Sequence, residues 1–87
     1  MPDFEYDPNK SRANYDKHGI DFDEAQYLWD DLAKILFPVF VNGESRTLMI
    51  ARYKGKHWTA IYTLRGHKIR IISVRRARTK EINRYED

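Results

Sequence analysis

Apolar residues recur at helical spacing in the first third of this chain and at strand spacing in the rest. Phe22, Ala25, Leu28, Trp29 and Leu32 line one side of a helix. Beyond them come segments rich in β-branched and aromatic residues, separated by Asn42-Gly43, Lys54-Gly55-Lys56 and Arg65-Gly66-His67. Gly at such short links lets the chain reverse at once, which favours antiparallel hairpins. The strands are expected over Arg46 to Tyr53, His57 to Leu64 and Lys68 to Val74. Ile35 to Val41 is apolar but contains Pro38, which lacks a ladder donor, so it reads as an edge strand or an irregular segment.

The helical third carries its own start and stop signals. Asp7 as N-cap and Pro8 at the first helical position begin a helix that reaches Lys17 or His18, where Gly19 ends it. Asp21 and Glu24 have capping-box spacing, and the second helix they open ends near Asp31 or Leu32. Phe4-Glu5-Tyr6 alternates as a short edge strand, and Thr79 to Tyr85 reads as a closing helix. The fold class expected is α+β: two N-terminal helices packed on one face of a three- to four-stranded antiparallel sheet, with a short C-terminal helix.

Eighty-seven residues support one domain, residues 1–87, since so short a chain cannot build two cores. The absence of cysteine excludes disulfides and thiolate metal sites. No apolar run approaches the roughly 20 residues of a membrane helix, and the polar, acidic N-terminus has no signal-peptide core, so the expected location is the cytoplasm. The net charge of +3 hides a division. Met1 to Asp31 holds nine acids and three bases, whereas Leu32 to Asp87 holds thirteen bases and four acids. Such a basic segment suits an anionic partner, either nucleic acid or an acidic protein.

The candidate chemistry lies among the bases. Arg65, Arg70, Arg75 and Arg76 fall within twelve positions, and Lys17 and His18 close the first helix. RNA cleavage through the 2′-hydroxyl needs a base for that hydroxyl, an acid for the leaving 5′-oxygen and cations around the pentacoordinate phosphorus. Arginine suits the last task because its planar fork holds two phosphate oxygens. Histidine exchanges protons near neutral pH, so His18 is the proton-transfer candidate, and Lys17 supplies charge, or a base where burial strips its proton. The bland readings stand beside these. Arg75, Arg76, Arg78 and Lys80 also suit a solvated helix entrance, Arg70 a partner acid from the first helix, and His18 a helix C-terminus. Trp58 and Tyr62 share one side of a strand, where they either stack on bases or pack in the core. His18, His57 and His67 are too scattered to form a metal pair, and no nucleotide-cofactor motif is present, so neither metal nor cofactor is expected.

Two stretches resemble the BrnT toxin family. Phe4-Glu5-Tyr6-Asp7, Lys10, Asn14 and Lys17-His18-Gly19-Ile20 are similar to its opening FEWDxxKxxxNxxKHGV pattern, with Tyr6 in place of Trp. Arg70-Ile71-Ile72-Ser73-Val74-Arg75-Arg76-Ala77, Glu81 and Tyr85 are similar to its RIISARRAxxxExxxY pattern, with Val74 in place of a small residue. The resemblance implies a RelE-like fold and a metal-independent endoribonuclease toxin of a type II toxin–antitoxin pair. It implies an antitoxin, BrnA, with a ribbon-helix-helix part, and operator DNA bound only through the complex. Carried over, the catalytic residues are Lys17, His18, Arg65, Arg75 and Arg76, with Arg70, Tyr62 and Arg78 on the RNA. The alternative is a non-catalytic basic module that holds a partner protein or nucleic acid. Direct sequence-specific DNA binding is weaker, because the first two helices are acidic and the last is short.

Overall fold

A computed structural model describes residues 2–87. The elements are β1 (Asp3–Glu5), α1 (Pro8–His18), a 3₁₀ helix (Glu24–Asp30), β2 (Ile35–Val41), β3 (Glu44–Tyr53), β4 (Lys56–Arg65), β5 (Lys68–Arg76) and α2 (Thr79–Glu86). Local signals set most of these boundaries. The Asp7 carboxylate accepts the Asn9 N–H at 2.8 Å, and Gly19, at φ 78°, returns its N–H to the Tyr15 carbonyl. The β2–β3 and β3–β4 turns place Asn42-Gly43 and Lys54-Gly55 at positive φ, the two-residue turn whose twist matches its strands.

The architecture departs from the expected one in three respects. First, the sheet has five strands in the order β1-β5-β4-β3-β2, and it is mixed. β2 to β5 form an antiparallel meander, whereas β1 runs parallel to β5, with Phe4 opposite Ile69. Hairpin logic reads only neighbouring strands, so it cannot see that the chain's start returns to its last strand.

Second, the second helix is a 3₁₀ helix of seven residues. Its N-cap is Asp23 and not Asp21, although the Asp21 carboxylate accepts the Glu24 N–H at 2.7 Å. Phe22, Ala25 and Leu28, all buried, are three residues apart, which is the 3₁₀ repeat. Leu32, which belongs to a 3.6-residue stripe, is 98% exposed.

Third, the helices lie on both faces of the sheet. α1 and the 3₁₀ helix cover the face presented by Met49, Ala51, Trp58, Ala60, Tyr62, Ile71 and Val74. α2 lies on the opposite face, where Thr59 and Arg75 bond its Glu81 and Arg84 sits 4.9 Å over Phe37. Strand side chains alternate between faces, so Ile50, Thr59 and Arg75, paired across β3, β4 and β5, must be covered by something other than α1.

β1 pairs with β5 only as far as Arg70, so the outer edge of β5 is open beyond it. Asn14 of α1 closes that edge. Its Oδ1 accepts the Val74 N–H at 3.2 Å, and its Nδ2 donates to the Val74 carbonyl at 2.9 Å and to the Ile20 carbonyl at 2.8 Å. The buried side chain thus does the work of a neighbouring strand. Asn14→Ala is expected to cost about 2 kcal/mol, because both Val74 backbone groups lose their partner inside the protein. Urea denaturation reads this directly, and a loss under about 0.5 kcal/mol would mean that water replaces the side chain.

Candidate nucleic-acid interface

The site grows from one face of α1 and the last turn of β5. Lys10, Asn14, Lys17 and His18 recur at intervals of four, three and one, which puts them on one side of the helix. Buried Asn14 fastens that side to β5, so its neighbours flank the contact. Lys10, Lys17 and His18 line an open groove of about 250 Å³ together with Ile72 and Ser73 of β5. Lys17 is exposed, so the burial that a lysine base requires is absent.

A bulge in β5 decides which arginine joins them. Ile61 pairs with Ser73 but Tyr62 pairs with Ile71, which leaves Ile72 as an extra residue. Without it, strict alternation from Ile69 and Ile71 would place Arg75 on the α1 face. With it, Val74 and Arg76 take that face, and Arg75 turns to α2. The Arg76 guanidinium lies 5.5 Å over the Trp58 ring. Trp58, with Gly19, Ile20, Tyr53, Lys54 and Lys56, lines a second cleft directly beside the end of α1. Lys17, His18 and Arg76 therefore share one end of the molecule. The buried Trp58 Nε1–H has no protein partner there, an unmet donor beneath the arginine.

The other sequence candidates are placed differently. Arg75 is held in a bidentate pair with Glu81, at 2.8 and 2.9 Å. That bond holds the Glu81 carboxyl down at about 2, against the cost of burial and with help from the Arg78 N–H and the Thr59 hydroxyl, and it raises Arg75 further. Arg70 and Arg65 both face Glu5 of β1, at 2.9 and 3.7 Å, so the acid that pairs Arg70 comes from a strand rather than from the first helix. Arg76 is six steps along the strand from Arg70, roughly 20 Å, too far for both to grip one phosphate. Tyr62 is only 6% exposed, its ring meets Trp29 edge-on at 5.2 Å, and burial raises its hydroxyl. Trp58 is likewise buried. Arg78 is exposed at the start of α2 and donates its backbone N–H to Glu81.

Sequence reasoning passed over Lys10 and Glu81 as contributors. The helical spacing of Lys10 with Asn14 and Lys17 was the available signal for the first. For the second it was the carboxylate six residues after Arg75, on a short helix. Asp31 does for the opposite edge of the sheet part of what Asn14 does for β5. Its Oδ2 accepts the Arg52 N–H of β3, and the Tyr85 hydroxyl donates to the same oxygen at 2.7 Å. The bond to Asp31 pushes Tyr85 up to about 12. Burial opposes ionisation of Asp31, but the bonds from Tyr85, Arg52 and Ala33 outweigh it and hold this carboxyl below its ordinary value. Arg75, Glu81 and Tyr85 of the second motif therefore fasten α2 to the rest of the fold.

Among the described residues no group of three His, Asp or Glu side chains is arranged to hold a metal ion. Among the same residues no helix is long and apolar enough to cross a membrane. The family model described as "Ribonuclease toxin, BrnT, of type II toxin-antitoxin system" matches residues 6–81. The match spans α1, the 3₁₀ helix, β2 to β5 and the first turn of α2. A search of curated proteins returned no significant match.

Proposed function

Because the chain belongs to the BrnT family of ribonuclease toxins of type II toxin–antitoxin systems, we propose that it cleaves RNA without a metal ion at the groove between α1 and the end of β5. The observation that supports this reading is the open groove that Lys17 and His18 line with the end of β5, next to the cleft of Gly19 and Trp58 over which Arg76 lies. In this reaction the 2′-oxygen attacks the adjacent phosphorus, the bond to the 5′-oxygen breaks, and a 2′,3′-cyclic phosphate and a 5′-hydroxyl result. His18 is placed to take the proton of the 2′-hydroxyl or to give one to the 5′-oxygen. Arg76, which forms no ion pair among the described residues, supplies its fork to the phosphate oxygens, and Lys17 and Lys10 add charge. Arg75 acts on the fold, through Glu81. Arg65, Arg70 and Arg78 remain candidates for contacts with flanking phosphates.

The test is incubation of the purified protein with a defined RNA in excess EDTA. The expected products carry cyclic phosphate and 5′-hydroxyl ends, and the yield falls steeply between 50 and 200 mM salt as phosphate contacts are screened. Cleavage that appears only when a divalent ion is added would overturn metal independence. An inert protein, on free and ribosome-bound RNA alike, would leave the non-catalytic binding module.

The antitoxin that a type II pair includes has a candidate seat at the other edge of the sheet. β2 is an edge strand with no strand on its outer side among the described residues, and Leu36, Phe40 and Val41 stand exposed along it, with Leu32 just before it. A row of open backbone groups flanked by apolar side chains suits a partner that adds a strand or lays an apolar segment there. The antitoxin would then block RNA either by covering the basic end as well or by holding the toxin in an assembly that hides it. Slowed hydrogen exchange of the β2 amides in the complex is the expected result, and unchanged exchange there would place the antitoxin elsewhere. The ribbon-helix-helix character of that antitoxin, and operator binding through the complex, rest on the family resemblance.

A further inference from the structure

The clefts around the basic end continue past Trp58. Tyr53 and Lys54 line both the cleft beside Gly19 and a larger one, of about 530 Å³, between the 3₁₀ helix, the β3–β4 turn and α2. The larger cleft has the parts of a base-reading site. The Tyr27 ring lies parallel to the Tyr53 ring, 3° apart in plane and 5.8 Å between centres, and Tyr27 is 56% exposed. Tyr53 is itself fixed, since its hydroxyl donates to Glu24 at 3.0 Å. Tyr27 is thus an exposed aromatic surface already held in place by its neighbour, which lowers the entropy lost when a ligand stacks on it.

Two carboxylates border this surface, and they differ. Asp31 is fully occupied, with Oδ1 accepting the Ala33 N–H and Oδ2 the Arg52 N–H and the Tyr85 hydroxyl. Asp30 is exposed and, among the described residues, makes no side-chain hydrogen bond or ion pair. Arg52 lines the same cleft, and among the described residues its guanidinium forms no ion pair. An open carboxylate beside an open aromatic face reads one base better than the others. Guanine alone presents two adjacent donors, N1–H and N2–H, on its pairing edge, and these match the two oxygens of a carboxylate. Adenine and cytosine place an acceptor beside their donor, and uracil flanks its one donor with acceptors.

We propose that this cleft is a nucleobase subsite that selects guanine, with Tyr27 as the stacking surface, Asp30 as the reader of the base, and Arg52 and Lys54 as contacts for the adjoining phosphates. The proposal rests on RNA being the substrate, and it adds where on that substrate the protein grips. A strand reaching from the Lys17–His18–Arg76 end would cross the cleft at Trp58 and arrive at Tyr27, so the base that is read lies a short distance from the bond that is cut.

The test uses oligouridines made of 2′-O-methyl nucleotides, which cannot be cleaved, carrying a single guanine, hypoxanthine or adenine. Binding to the whole protein is followed by fluorescence anisotropy. The parent should prefer guanine to both others by roughly tenfold or more, hypoxanthine being weaker because it lacks the 2-amino group. Asp30→Asn should level the three, and Tyr27→Ala should weaken all of them by roughly tenfold. Both residues are exposed, so neither change threatens the fold. Equal binding of the three oligomers by the parent, or an Asp30→Asn variant that keeps the preference, overturns the subsite. Cleavage of ordinary RNA is measured in parallel. Cleavage without guanine preference removes the subsite and spares the ribonuclease reading, and guanine preference without cleavage does the reverse.

Discussion

Replacing Glu81 by Ala should remove about 3 kcal/mol of stability and loosen α2 from the sheet. Glu81 meets Arg75 through two bonds under 3 Å and also accepts from the Thr59 hydroxyl and the Arg78 N–H. Both partners of the ion pair are largely covered, at 17% and 20% side-chain exposure, so its loss strands a guanidinium under the helix. For a domain of this size the expected fall in Tm is roughly 15 °C. Glu81→Gln keeps acceptor capacity for Thr59 and Arg78 and should cost less.

The same pair makes stability depend on acid. Bonding to Arg75 lowers the Glu81 carboxyl from 4.5 to about 2 in the folded protein. The folded chain therefore holds this proton less tightly than the unfolded chain does. Its contribution is complete above about pH 5 and is lost as pH falls from there towards 2. Denaturation midpoints of the parent and of Glu81→Ala should accordingly converge as pH is lowered through that window. A gap that stays constant down to pH 2 would assign the effect to lost packing and not to the charge.

The second large effect concerns activity, and it separates two adjacent arginines. Arg76→Ala should lower RNA cleavage by roughly 100- to 1000-fold with stability within about 0.5 kcal/mol of the parent, since Arg76 is exposed and makes no ion pair. His18→Ala should lower it by roughly 100- to 10,000-fold. Arg75→Ala should instead unfold at markedly lower denaturant, and cleavage measured well below that transition should be closer to the parent's. Circular dichroism for folding and a single labelled RNA for rate suffice for all three variants. A folded but inactive Arg75→Ala beside an active Arg76→Ala would reverse the assignment and move the site to the α2 face.

The bulge at Ile72 explains why these two arginines were indistinguishable beforehand. The sequence put both just past a last strand expected to stop at Val74, whereas β5 runs on to Arg76, and which of them faces α1 depends on a one-residue change of phase. The trace of it in the chain is Ile71-Ile72, two apolar residues side by side in a strand that otherwise alternates. The same ambiguity covers Trp58 and Tyr62, readable as stacking platforms or as core. Only their place in the one buried cluster of the sheet's inner face made both core.

Signals that act within a few residues were written in the chain and survive in the fold. They include the Asp7–Pro8 start and Gly19 stop of α1, the glycine turns, the three strands β3 to β5 and the short last helix. Each is settled by backbone geometry or by a hydrogen bond to a near neighbour, so composition at that place is enough. The face covered by α2, the parallel return of β1, the 3₁₀ form of the second helix and the pairs Arg75–Glu81 and Arg70–Glu5 were not. Those depend on groups six to 65 residues apart being brought together, and their energy belongs to the packed whole, where a charge is tied down or left free according to which neighbour the sheet delivers.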